Sequence, residues 1–307
     1  MVMSAVGRPL YLDHFVLREP PFKLTPHTPF FYPGGNRGAI LRALLYAAMN
    51  TEGVVTVTGE VGTGKTMLAR MLIDHRPSSL EIAYIANPAM TRDDIVLTIA
   101  QELRIRPTGR TPRELLKALQ MKLIELHLEG KRVSVLIDEA HVMSPDALEE
   151  IRLLSNLETR QHKLLRIILV GQDELRQTLA TARMRPLRER ITERFQLGPL
   201  GAADVADYLS YRLRLAGGDP QTFEPRAVAL IARDSEGLGR RINILADKAL
   251  LAAFAERERF VADRHVRMAI ADARFVPLYG WRAWVASAAA SFTAATRWRR
   301  PAASSAA

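Results

Sequence analysis

Eight consecutive residues constrain this chain more than any others: Gly59-Glu60-Val61-Gly62-Thr63-Gly64-Lys65-Thr66. They match G-x-x-x-x-G-K-[ST] at every fixed position. A strand-like run, Val54-Val55-Thr56-Val57-Thr58, precedes them, and a helix-like run, Met67 to Ile73, follows. A strand–loop–helix of this kind is a phosphate cradle. Its glycines let backbone N–H groups turn inward, and the helix N-terminus adds partial positive charge. Lys65 is placed to reach the β- and γ-phosphates, and Thr66 to offer a hydroxyl to Mg²⁺. All eight are candidate nucleotide-binding residues. The competing reading is a purely structural glycine turn, which the flanking strand and helix disfavour.

The chain has 307 residues, enough for about two domains. At 48% hydrophobic and 25% charged it has an ordinary globular composition. With no cysteine, disulfides and thiolate chemistry are excluded, and a reducing compartment is compatible. Met1 to Arg18 has no charged stretch followed by a long apolar core, so no signal peptide is expected. The net charge is +10, and residues 160–194 and 265–307 each carry +5. Such an excess is drawn to phosphate surfaces, either nucleic acid or anionic lipid. A solvated basic surface is the alternative.

Residues 1–36 are rich in proline and aromatics, with Pro20-Pro21-Phe22 and Pro29-Phe30-Phe31-Tyr32-Pro33, and predict an ordered extended arm. Residues 37–200 alternate helix and strand. Strands are expected at Val54–Thr58, Ile82–Ala86, Val133–Ile137 and Leu165–Val170, with a short fifth at Phe195–Leu197. Short, continuously apolar strands between helices predict a parallel sheet covered on both faces. Residues 201–275 read as four helices, a second and all-helical domain. The tail, 276–307, is rich in Ala, Arg and Trp. Its 14 uncharged residues between Arg282 and Arg297 are short of a membrane span. A flexible tail is favoured over an interfacial helix, which would give peripheral membrane contact.

Val133-Ser134-Val135-Leu136-Ile137 ends in Asp138-Glu139. A phosphate site needs one carboxylate in the Mg²⁺ shell and a second group to orient water. Asp138 suits the first role, joining Thr66 as a metal-binding candidate, and Glu139 suits the second. Adjacent residues leaving a strand point opposite ways, so the two can serve different ends of the site. Other chemistries score poorly. The seven histidines show no zinc spacing, and there is no G-x-S-x-G elbow.

On these motifs the chain resembles AAA+ ATPases, and more closely the ExeA type, which includes general secretion pathway protein A and pilus-biogenesis relatives. The stretches that carry the resemblance are Pro21–Pro26, Phe30–Tyr32, Gly59–Thr66, Ile137–His141, Leu148–Thr159, Leu169–Leu175 and Arg240–Asn243, spanning about residues 15–255. The resemblance implies an α/β P-loop core with a C-terminal helical lid. It also implies hydrolysis of ATP to ADP and phosphate with Mg²⁺ as cofactor. Gln172 falls at the sensor-1 position, and Arg240 at the sensor-2 position, with Arg241 as the neighbouring alternative. Asn87 resembles the residue that restrains the catalytic glutamate, a simple turn residue being the other reading. Arg183, Arg185, Arg188, Arg190 and Arg194 occupy the segment that supplies an arginine finger in trans to the next subunit. Arg190 matches best; the alternative is a basic helix pairing with Glu189 and Glu193. Catalytic roles are thus expected for Lys65, Glu139, Gln172, Arg190 and Arg240.

The expected function is an oligomerising ATPase that powers assembly or remodelling of an envelope machine of secretion or pilus type. It would act in the cytoplasm, peripheral to the inner face of the membrane, through ring or dimer self-association and an envelope-assembly partner. The alternative is a DNA-associated AAA+ ATPase of the transposition or initiator kind, with nucleic acid as partner. A third reading is a nucleotide switch that does not hydrolyse. ExeA-type relatives often carry a membrane span and a peptidoglycan-binding module, and neither is expected here. Gly35-Asn36-Arg37-Gly38 also lacks the acidic residue expected of relatives, which weakens adenine recognition there.

Overall fold

A computed structural model describes residues 10–106, 111–159 and 162–275. The expected tail, 276–307, and the first nine residues of the arm lie outside the described residues. Two compact units emerge. One is residues 39–197; the other joins the arm, from residue 10 to 38, with residues 198–275.

In chain order the elements are α1 (Arg37–Asn50), β1 (Val54–Thr58), α2 (Lys65–Asp74), β2 (Leu80–Ile85), α3 (Arg92–Glu102), α4 (Pro112–Leu128), β3 (Arg132–Ile137), α5 (Pro145–Leu154), β4 (Leu165–Gly171), α6 (Asp173–Ala180), α7 (Arg185–Arg188), β5 (Ile191–Gln196), α8 (Ala202–Leu215), α9 (Pro225–Asp234), α10 (Gly239–Ala255) and α11 (Asp263–Ala273). Helices α3 and α4 start at capping boxes, Thr91 with Asp94 and Thr111 with Glu114, which satisfy first-turn N–H groups.

The five strands form one parallel sheet in the order β2-β3-β4-β1-β5. Strands β1 and β4 are buried along their whole length, as continuous apolar runs require. Val133, Val135 and Ile137 of β3 share a core with Ile95 and Ile99 of α3, Leu119 and Leu123 of α4, and Leu148 and Ile151 of α5. On the other face Ser134 donates to the Ala48 carbonyl of α1 at 3.1 Å. Register pairs Thr58 with Gly171 and Ile137 with Leu169, so the carboxyl ends of β1, β4 and β3 lie in line. In open α/β sheets that edge is where ligands bind.

Strand β5 differs from its expected span. It runs over Ile191–Gln196, with Thr192, Glu193 and Arg194 inside it. As an edge strand it alternates in burial instead of being covered on both faces, so its sequence carries no apolar run.

In the second unit the arm's aromatics enter the helical core. Tyr11, Phe15, Phe22, Phe30 and Tyr32 are buried with Leu209 and Leu213 of α8, Ile231 of α9, Leu245 and Leu250 of α10, and Val266 of α11. The arm, whose aromatics need burial, thus completes the core of the helices.

Candidate nucleotide site

The eight-residue loop joins β1 to α2. Gly62 and Gly64 sit at φ 84° and 101°, a left-handed region that favours glycine. Gly59 is required for a different reason: a Cβ there would lie 2.3 Å from the Leu197 carbonyl oxygen. Thr63 donates from its hydroxyl to the Glu60 carbonyl at 2.8 Å and closes the loop. Lys65 is buried, and its Nζ donates to the carbonyls of Gly59 at 2.8 Å and Glu60 at 2.9 Å. Burial pulls its pKa down, while the charges of Glu139, Asp138, Glu60 and Asp173 push the other way. The cation therefore stands in a pocket of carbonyls and carboxylates next to the α2 N-terminus. Val61 is exposed at the tip of the loop.

Asp138 leaves β3 buried, with its backbone N–H bonded to the Ile85 carbonyl at 2.9 Å. Burial raises its carboxyl above the usual range, against a lowering hydrogen bond from the Thr66 side chain. Thr66 and Asp138, both inferred as metal-binding, are therefore neighbours. One hydroxyl and one carboxylate suit Mg²⁺, which keeps several waters and takes phosphate oxygens as its other ligands. No cluster of three or more His, Asp or Glu suited to a metal occurs among the described residues, so an all-protein metal cage is not formed.

Glu139 adopts φ 52°, ψ 31°, left-handed for a residue with a side chain. Its backbone N–H donates to Asp138 Oδ1 at 2.9 Å. The reversal feeds a single 3-10 turn, Ala140–Val142, which folds back on the end of β4. Gly171 permits the approach, since a Cβ there would stand 3.1 Å from the His141 nitrogen. Gln172, the next residue, has its Nε2 2.8 Å from His141 Nε2. The structure thus brings together Lys65, Thr66, Asp138, Glu139 and Gln172 at the carboxyl ends of three neighbouring strands.

The other candidates lie on other elements, and most are bonded locally. Asn87 is exposed just past β2, where its Oδ1 accepts from the Ala89 N–H at 3.2 Å, the geometry of a turn residue. Arg240 is exposed on the first turn of α10 in the helical unit and forms no hydrogen bond or ion pair among the described residues. Arg241 is paired with Glu236 at 2.7 Å and lies 5.1 Å from the Phe275 ring. The five arginines of the finger segment all find partners within the chain. Arg183 bonds Asp146, Arg185 bonds Glu189 at 2.8 Å, and Arg188 bonds the Ala180 carbonyl at 2.8 Å. Arg190 reaches Ser155 Oγ at 3.3 Å, and Arg194 the Arg188 carbonyl at 3.3 Å. The Arg185–Glu189 pair matches the alternative reading of a basic helix, although α7 has only four residues.

Two residues at the site escaped the sequence reading. Tyr84 on β2 pairs in register with Leu136, two residues before Asp138. Burial and the Asp138 charge raise its phenol pKa, so it lies near the Asp138 carboxylate. A tyrosine two residues before the Ala86–Asn87 turn, on the strand beside the Asp-Glu pair, was the available signal. His141 was quoted only as part of a motif; its signal was a histidine two residues beyond Glu139.

The profile of the AAA domain family matches residues 48–179, which contain the loop, the carboxylate pair and Gln172. General secretion pathway protein A of Aeromonas hydrophila is 40% identical over 265 residues, 85% of this chain. The chain spans about half the length of that relative, 48%. Among solved structures, the Aeropyrum pernix ORC1 protein in complex with DNA is similar at TM-score 0.62 and 22% identity, over 84% of this chain and 72% of that one. The Thermotoga maritima RuvB Holliday junction branch migration motor is similar at TM-score 0.54 and 18% identity, over 81% and 73%. At such identities these two show the shared fold: a five-stranded parallel sheet followed by helices.

Proposed function

This chain is an AAA-domain protein and a homologue of General secretion pathway protein A, and we propose that it hydrolyses ATP to ADP and phosphate as a self-assembling ATPase. The observation that carries this reading is the convergence of Lys65, Thr66–Asp138 and Glu139 at one end of the sheet. Lys65 and the N–H groups of the loop bind the phosphates. Thr66 and Asp138 would hold Mg²⁺, which when bound would draw charge from the phosphate oxygens. Glu139, half-exposed, takes a proton from the attacking water, and Gln172 contacts the γ-phosphate or that water.

By resemblance, Arg240 reads the γ-phosphate from the helical lid, and one arginine of residues 183–194, Arg190 first, completes a neighbouring subunit's site. By similarity to General secretion pathway protein A, we place its work in building or remodelling a secretion-type envelope machine at the inner face of the membrane. No helix of the described residues is long and apolar enough to cross a membrane.

The test is phosphate release by the full chain with ATP and Mg²⁺. Turnover is expected to be lost in Lys65→Ala together with nucleotide binding. In Glu139→Gln, turnover is expected to fall about 10²-fold or more with binding retained. Undiminished turnover in both variants refutes the assignment.

A further inference from the structure

His141 has an environment that none of the roles above uses. Its side chain is 15% exposed. Its Nε2 lies 2.8 Å from Gln172 Nε2, while its Nδ1 is buried without a hydrogen-bond partner among the described residues. That same Nδ1 lies 3.4 Å from Glu139 Oε2. An amide nitrogen only donates, so Gln172 Nε2 gives the hydrogen bond and His141 Nε2 accepts it. A neutral imidazole that accepts at Nε2 carries its proton on Nδ1. The proton is therefore on the ring nitrogen that lies nearer the Glu139 carboxylate. At 3.4 Å the contact is just too long for a well-formed hydrogen bond, and the Glu139 side chain, 42% exposed, has room to close it. The charge of Lys65 also attracts this carboxylate. Without a second tether, Glu139 is free to swing toward that cation and away from a water molecule.

The backbone is built to make this contact. The left-handed conformation of Glu139 turns the chain back, and Gly171 lets the turn settle against β4. Resting on the reading of Glu139 as general base and Gln172 as phosphate sensor, we propose that His141 is a positioning residue that joins them. Gln172 fixes the imidazole tautomer, and the Nδ1 proton orients the Glu139 carboxylate toward the attacking water. A movement of Gln172 on loss of the γ-phosphate is thereby passed to the base.

The experiment has two arms on the full chain. In the first, ATP turnover and nucleotide affinity are measured for the wild type, His141→Ala, Glu139→Gln and the double variant. His141→Ala is expected to lower kcat about 10- to 100-fold, the scale of an orienting partner, with KM and nucleotide affinity within about twofold. Added to Glu139→Gln, it is expected to cost nothing further, because the group it orients is gone. In the second arm, nitrogen-15 NMR of the histidine rings reads the tautomer without nucleotide. The wild type is expected to carry its proton on Nδ1, and Gln172→Leu to shift His141 toward the Nε2–H form. Wild-type kcat in His141→Ala, an additive loss in the double variant, or an Nε2–H tautomer in the wild type would overturn the proposal. A wild type that releases no phosphate instead refutes the hydrolytic reading, and a fully active Glu139→Gln refutes Glu139 as its general base; in either case the tautomer still decides whether Gln172 fixes the His141 ring.

Discussion

Arg212 Nε donates to the carbonyl oxygen of Pro21 at 2.6 Å, across 191 positions of sequence. Its Nη1 donates to the Phe30 carbonyl at 3.2 Å, and the guanidinium lies 5.0 Å from the Phe30 ring and 5.4 Å from that of Tyr208. One buried cation of α8 thus satisfies two carbonyls of the proline-rich arm, in segments whose prolines disfavour regular structure. Arg212→Ala is expected to orphan both carbonyls, at roughly 1–3 kcal/mol each. Thermal unfolding of the variant should shift downward, and limited proteolysis should cut the arm first. An unchanged melting temperature would show that the arm is held by its aromatics alone.

Tyr11 hydrogen-bonds Asp247 of α10 in the same unit. Burial holds the Asp247 carboxyl above its ordinary 3.8, despite the Tyr11 hydrogen bond and the charge of Lys248. A carboxyl raised in the folded state favours folding most when protonated. Its contribution declines as pH climbs from about 3.8 through the raised value and stays low above it. Asp247→Asn removes this dependence. The melting temperature of the variant relative to wild type should be higher at pH 7 than at pH 4; a difference independent of pH would refute the shift.

Gly59 and Gly64 are needed for different physical reasons, and alanine separates them. At Gly59 the new Cβ meets the Leu197 carbonyl at 2.3 Å, so backbone must move. At Gly64 nothing among the described residues lies within 4 Å, and the cost is the left-handed φ of 101°, about 1–2 kcal/mol. Gly59→Ala should lose more stability than Gly64→Ala in chemical denaturation, and both should weaken nucleotide binding. Equal losses would mean that the Gly59 loop relaxes away from Leu197.

The proposed finger is tested by mixing. Arg190→Ala keeps its own loop and carboxylates, whereas Lys65→Ala keeps its arginine. If the site is completed by a neighbour, each variant alone should be nearly inactive. A mixture should regain turnover, because Arg190→Ala loops then meet intact arginines. A mixture no more active than its components assigns Arg190 to its contact with Ser155.

Patterns confined to a short stretch were legible directly. The strand before Gly59, the glycines at positive φ, Lys65 at the head of a helix and the acids closing β3 each depend on residues adjacent in sequence. Strand β5 was read too short because an edge strand alternates, and Thr192, Glu193 and Arg194 break any apolar run. Asn87 illustrates a different limit. A residue ending a strand reads equally as a restraint on Glu139 or as a turn, and the bond from the Ala89 N–H describes the turn.

The sequence by itself determined the phosphate loop, the carboxylate pair, the parallel-sheet class and the all-helical character of residues 201–275, because periodicity and motif spacing are properties of neighbouring residues. Tertiary structure decided what meets what. Sheet order set β3 and β4 side by side, so that His141 reaches Gln172 across 31 positions of sequence. Burial against the helices decided that the arm belongs with residues 198–275. Such pairings depend on strand register and on which apolar faces cover one another, and long-range burial of this kind leaves no periodic trace in the sequence.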